Sequence, residues 1–268
     1  MKFGVLPNEE ARFFFLFKLL QFIWSSVMKT RFFRSFLVSV AIAAASAAQA
    51  AVLVVPGAYE STEGAGQNNF PLSLTAGNTQ RYQQVFGSGG FSSLTGPFLI
   101  TEIAFRPSAA QAAFTSTATI QLSLSTTSKA PDGLSTTFAE NVGEDPEVVF
   151  SGDLAISSAA AGPPAGPKAF DIVITFQTPY LYDPAEGNLL IDFRTSATSG
   201  ENFFLDAQST VGDQISRVYS NQAPTAVNAT TGTAVTLALI TRFTITVPEP
   251  SSAALIVLGG MTLLRRRR

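Results

Sequence analysis

The chain has 268 residues, 46% of them hydrophobic and only 13% charged, a globular composition sized for one or two domains. It contains no Cys and no His, which excludes disulfides, thiolate chemistry, Ser-His-Asp and Cys-His nucleophiles, and His- or Cys-ligated zinc. The net charge of −2 conceals a split between cationic ends and an acidic middle, where residues 51–247 hold 7 Lys+Arg against 16 Asp+Glu; this argues against a nucleic-acid partner and for membrane targeting.

Residues 1–27 include the apolar run FFFLFKLLQFIW, yet a complete export signal begins after them, at Met28. The simplest reading is a start codon assigned too early; the other is an additional membrane anchor. From Met28 the chain reads as a secretory signal peptide over residues 28–50. Lys29, Arg31 and Arg34 form the cationic start, an apolar run follows from Phe36 to Ala48, and Ala48-Gln49-Ala50 is a small-x-small cleavage pattern. Signal peptidase is the expected partner, cutting after Ala50.

Residues 51–247 carry the two-residue periodicity of strands. Ile120, Leu122 and Leu124 alternate with Gln121 and Ser123; Phe170, Ile172, Ile174 and Phe176 alternate with Asp171, Val173 and Thr175; Leu189, Ile191 and Phe193 alternate with Leu190 and Asp192. Residues 98–106, 147–156, 202–208 and 214–220 are weaker strand candidates. The longest alternation places Val235, Leu237, Leu239, Thr241, Phe243, Ile245 and Val247 on one face, which predicts one long, half-buried strand. Gly- and Pro-rich punctuation separates the runs, and none has a capped helical period. The expected fold is all-β, a single β-sandwich that is jelly-roll-like, with residues 125–147 as a long surface loop.

Three chemistries can be weighed for this middle section. Asp132, Glu140, Glu144, Asp145 and Glu147 supply hard oxygen ligands, so Asp132, Glu144, Asp145 and Glu147 are candidates for calcium. They lack the spacing of an EF-hand, and a solvated acidic loop explains the run equally well. Tyr180 and Tyr182 share one face of an extended segment, as a sugar platform requires, but core packing accounts for them more simply. Paired carboxylates could hydrolyse a glycoside, although no acid stands in a diagnostic motif. The expected section is therefore non-enzymatic and without cofactor, with a secreted carbohydrate-active enzyme as the alternative.

At the C-terminus, residues 248–268 read VPEPSSAALIVLGGMTLLRRRR when the preceding Val247 is included. Pro248 and Pro250 cannot donate ladder hydrogen bonds and so end the last strand. The apolar segment that follows runs only from Ala253 to Leu264, about 18 Å as a helix against a hydrocarbon core of about 30 Å. Arg265, Arg266, Arg267 and Arg268 should stay on the cytoplasmic side.

The order of Pro248-Glu249-Pro250, short apolar segment and terminal arginines resembles the PEP-CTERM sorting signal of Gram-negative bacteria. The resemblance implies recognition and cleavage near Pro-Glu-Pro by an exosortase while the chain is held in the inner membrane. It also implies a final location at the cell surface or outside the cell, with exopolysaccharide as an associated partner. A plain C-terminal anchor shares the apolar segment and the arginines but does not require Pro-Glu-Pro.

Overall fold

The computed structural model describes residues 49–220 and 224–247, which contain thirteen strands and only short 3-10 turns as helix. No helix among these residues is long and apolar enough to cross a membrane. The strands are β1 (Gln49–Val55), β2 (Gly66–Asn68), β3 (Gln80–Phe86), β4 (Phe98–Phe105), β5 (Phe114–Thr127), β6 (Glu147–Ser158) and β7 (Ile172–Tyr182). They continue with β8 (Asn188–Gly200), β9 (Leu205–Gln208), β10 (Ile215–Ser220), β11 (Thr233–Val235), β12 (Ala238–Leu239) and β13 (Thr241–Val247).

All pairings between these strands are antiparallel. One sheet has the order β1-β13-β4-β7 and a second has β11-β10-β3-β8-β5-β6; β12-β9-β2 form a small third sheet. The fold is thus all-β and sandwich-like, as the period-two pattern requires. In β5 the alternation is visible residue by residue: Phe114, Ser116, Ala118, Ile120 and Leu122 are buried while the residues between them are exposed or half-buried. Phe86 of β3 meets Phe243 of β13 edge-on at 5.0 Å, and Phe105 of β4 lies 6.3 Å from Phe193 of β8, so rings from the two large sheets share one core. Burying each such ring contributes roughly 1.5–3 kcal/mol.

Two expectations change. The alternation from Val235 to Val247 is not one strand, because the chain contributes β11, β12 and β13 to three different sheets. The interruption has a physical cause. Gln84 accepts from the Leu239 N–H at 2.9 Å and donates to its carbonyl at 2.8 Å, so a side-chain amide replaces the ladder at that point. Residues 125–147 are likewise not a plain surface loop. Residues 125–127 still belong to β5, and Leu134 and Phe138 are buried with Val85, Leu190 and Val218 in a second apolar cluster on the outer face of the six-stranded sheet.

β1 and β13 pair in unbroken register from Gln49↔Val247 to Val55↔Thr241. Gln49 and Ala50 therefore lie inside a strand, two residues ahead of the expected processed terminus. Ladder pairs from Ala51↔Ile245 onward do not depend on them.

Candidate functional site

The main cleft, about 790 Å³, lies where β5 and β7 end and β4 and β8 begin. Thr126, Thr127 and Ser128 supply one wall. Glu140, Val142, Gly143, Glu144 and Asp145 supply another, and Leu181, Asp183 and Glu186 close it from the β7–β8 connection. Five carboxylates from two separate segments thus border one space.

The geometry is set by close backbone approach. A Cβ on Gly143 would overlap the Thr126 carbonyl, so glycine lets the loop lie against the end of β5. Asp145 then reaches back: Oδ1 accepts from the Thr126 N–H at 2.7 Å, and Oδ2 accepts from the Tyr180 hydroxyl at 2.7 Å. The only Tyr180 proton is committed to Asp145, so the Thr126 hydroxyl, 3.1 Å away, donates to the Tyr180 oxygen. Burial by itself would raise the Asp145 carboxyl, but the bonds from Tyr180 and Thr126 outweigh it and hold Asp145 below the ordinary carboxylate value. Burial pushes the Tyr180 and Tyr182 hydroxyls up.

Behind the loop a polar network crosses the outer face of the six-stranded sheet. Arg81 and Asp192 form an ion pair at 2.7 Å, with side chains 10% and 12% exposed. Gln83 donates to Asp192 at 2.8 Å and accepts from Asn141 at 3.0 Å, while the Arg81 guanidinium lies 4.7 Å from the Phe138 ring. These contacts pin the loop that carries Glu140, Glu144 and Asp145. A smaller groove of about 240 Å³ opens beside the network, bordered by Gln121, Ser123, Asp192 and Arg194.

The sequence-predicted residues separate. Glu144 and Asp145 enter the cleft. Asp132 sits elsewhere, accepting from the Gly212 N–H at 2.9 Å, and Glu147 opens β6 opposite Leu124. No group of three or more carboxylates placed to hold a metal ion occurs among the described residues, so the four calcium candidates are not assembled as a set. Tyr180 and Tyr182 are 2% and 0% exposed, which fits the core-packing reading and not the sugar-platform alternative. Both lie on the core face of β7, and the residue between them, Leu181, is the one turned toward the cleft. Ala50 is exposed within β1, whereas Ala48, Pro248, Glu249, Pro250 and Arg265 to Arg268 lie outside the described residues.

Asp183, Glu186, Arg81, Gln83 and Asp192 were not singled out by sequence. Asp183 and Glu186 stand in turn punctuation, and β3, reading QRYQQVF, is too polar to signal a central strand. Charge placement sharpens the character of the surface. Among the described residues no Lys or Arg is exposed, whereas eight Asp and Glu are. Such a surface repels polyanions and offers acceptors to hydroxyl-rich or cationic ligands. No protein-family model matches the chain, and a comparison with curated proteins finds no relative.

Proposed function

We propose that this chain is an exported cell-surface or extracellular-matrix protein, delivered by the signal over residues 28–50 and sorted through the tail over residues 248–268. Signal peptidase acts after Ala50. An exosortase acts near Pro248-Glu249-Pro250, with the chain held in the inner membrane by the apolar segment and Arg265 to Arg268. The core is a jelly roll with a structural, adhesive or glycan-associated role, and it is not an enzyme.

The observation that carries this reading is the register of the first and last strands. β13 completes its pairing with β1 at Val247, immediately before Pro248, so a cut at the Pro-Glu-Pro motif removes no part of the described fold. Both flanking segments also leave from one corner of one sheet, because Gln49 is paired with Val247. That placement suits a domain whose two ends are both handled at the same membrane.

Strand order supports the finer fold. Taking β1, β3, β4, β5, β6, β7, β8 and β13 as the eight principal strands, the first, last, third and sixth share one sheet and the second, seventh, fourth and fifth share the other. That order supports the two-Greek-key path of a jelly roll, with β10 and β11 added at one edge. The acidic cleft, with Thr and Ser hydroxyls beside its carboxylates, supports contact with neutral hydroxyl-rich polymers such as exopolysaccharide. Terminal mapping of the protein recovered from the cell surface tests the reading: an N-terminus at Ala51 and a C-terminus near Pro248 are expected. Recovery of intact Arg268 in the surface fraction contradicts it.

A further inference from the structure

Strand register lays two polar rows across the outer face of the six-stranded sheet. Arg81, Arg194 and Gln121 stand opposite one another on β3, β8 and β5, and Gln83, Asp192 and Ser123 form the next row on the same face. All of these except Gln83 border the groove of about 240 Å³. Like charges directly opposed destabilise a sheet. Asp192 offsets Arg81, accepting from Nε at 3.3 Å and Nη2 at 2.7 Å, but no carboxylate among the described residues pairs with Arg194. The Arg194 side chain makes one hydrogen bond among these residues, from Nη1 to the Val227 carbonyl at 3.0 Å, and keeps its other donors. Gln121 and Ser123 have no side-chain partner there either, and none of the three is a buried orphan. Asp192 Oδ1 receives only the long bond from Arg81 and retains acceptor capacity.

Resting on the glycan-associated reading above, we propose that this groove is the subsite for a single neutral sugar unit. Two adjacent hydroxyls grip it, one donating to Asp192 and the other accepting from Arg194. A carboxylate and a guanidinium side by side match such a pair, because each hydroxyl both donates and accepts. Both protein groups are preset: Arg81 and Gln83 hold Asp192, and the Val227 carbonyl holds Arg194. Gln121 can give and take at a further hydroxyl, while Val142 and Pro146 offer apolar wall to the ring C–H groups. The Asp192 carboxylate, with Asp145 and Glu147 flanking Pro146 in sequence, disfavours an anionic sugar. The groove is smaller than the roughly 300–1,000 Å³ of pockets for drug-sized ligands, so it takes one unit. Val142 borders both groove and cleft, so a polymer seated here continues over the loop into the cleft. No aromatic ring borders the groove, so the expected dissociation constant is on the order of millimolar.

Saturation-transfer NMR on the detergent-solubilised full chain reads such binding directly. Methyl glycosides of glucose, galactose and mannose are offered together at millimolar concentration, with glucuronate as the anionic counterpart. Transfer to at least one methyl glycoside is expected. It should fall several-fold in Arg194→Gln and in the double variant Gln121→Ala and Ser123→Ala. The double variant removes side chains that bond nothing in the described fold, so its melting temperature should stay close to the parent's. No transfer to any methyl glycoside, or stronger transfer to glucuronate, overturns the proposal. Transfer that either variant keeps in full also overturns it, while the glycan-associated reading stands and moves to the cleft. Export and sorting are decided separately, by the terminal mapping above.

Discussion

The Tyr180 hydroxyl donates to Asp145 Oδ2 at 2.7 Å across 35 residues of chain, tying the end of β7 to the loop between β5 and β6. Tyr180 is buried by its ring and reaches the cleft only through its oxygen, so one residue serves both core and site. Tyr180→Phe keeps the ring and removes the donor. The expected cost at neutral pH is about 1 kcal/mol, reduced from the usual charged hydrogen bond because Asp145 is open to solvent. The sign with pH follows from the lowered Asp145 value. Its stabilisation is complete above the ordinary carboxylate range and is lost as pH falls through the folded value. Denaturant titrations of parent and variant should therefore converge in acid; a constant difference at all pH contradicts the assignment.

Glu63 provides the opposite sign. Desolvation raises its carboxyl, reinforced by Asp206 and opposed by the Ala109 N–H, Arg106 and Lys168, and its Oε2 is buried without a hydrogen bond. A raised carboxyl opposes folding at neutral pH, and the opposition fades as pH falls through the folded value. Glu63→Gln should stabilise the chain at neutral pH by less than about 1 kcal/mol, with no gain in acid. Thermal melts at the two pH values check this, and a destabilised variant at neutral pH would show that the charge is needed.

Arg106 and Asp206 form a fully buried ion pair at 2.7 Å, and Arg106 also donates to the carbonyls of Tyr59, Glu60 and Thr62. Asp206→Leu alone leaves a buried guanidinium without its carboxylate and should cost about 3–5 kcal/mol. Pairing it with Arg106→Met removes the stranded charge, so the double variant should be more stable than Asp206→Leu. Equilibrium unfolding of the parent, both single variants and the double variant measures the coupling; strict additivity of the two single changes contradicts a coupled pair.

Calcium tests whether Glu144 and Asp145, which line the cleft with Glu140, Asp183 and Glu186, hold a metal: the melting temperature of the parent is followed with and without millimolar calcium. An ion that binds only the folded chain must raise that temperature. A rise at millimolar calcium restores a metal role for Glu144 and Asp145.

Strand character was legible wherever the alternation was local, as at Ile120, Leu122 and Leu124, because the period of two is a property of the single strand. Sheet membership was not. Leu237, Leu239 and Thr241 continue one alternation, yet only contacts from Gln84 and Asp206, more than thirty residues away, divide it among three sheets. β3 escaped notice because its Arg81, Gln83 and Gln84 side chains are buried in hydrogen-bonded networks, which hydrophobic patterning cannot register. Glu144 and Asp145 were visible as an acidic run, but their cleft needs Asp183 and Glu186 from another segment. Asp132 was drawn away by its bond to the Gly212 N–H.

The most direct test of the account is replacement of Pro248, Glu249 and Pro250 by alanine, followed by pulse-labelling and fractionation in a host with the matching exosortase. The account predicts that the variant chain inserts, keeps its folded β core because β13 is complete at Val247, and accumulates at full length in the membrane fraction while the parent is shortened and released. If the alanine variant is shortened and released at the parent's rate, the tail is a plain anchor and the sorting account is contradicted.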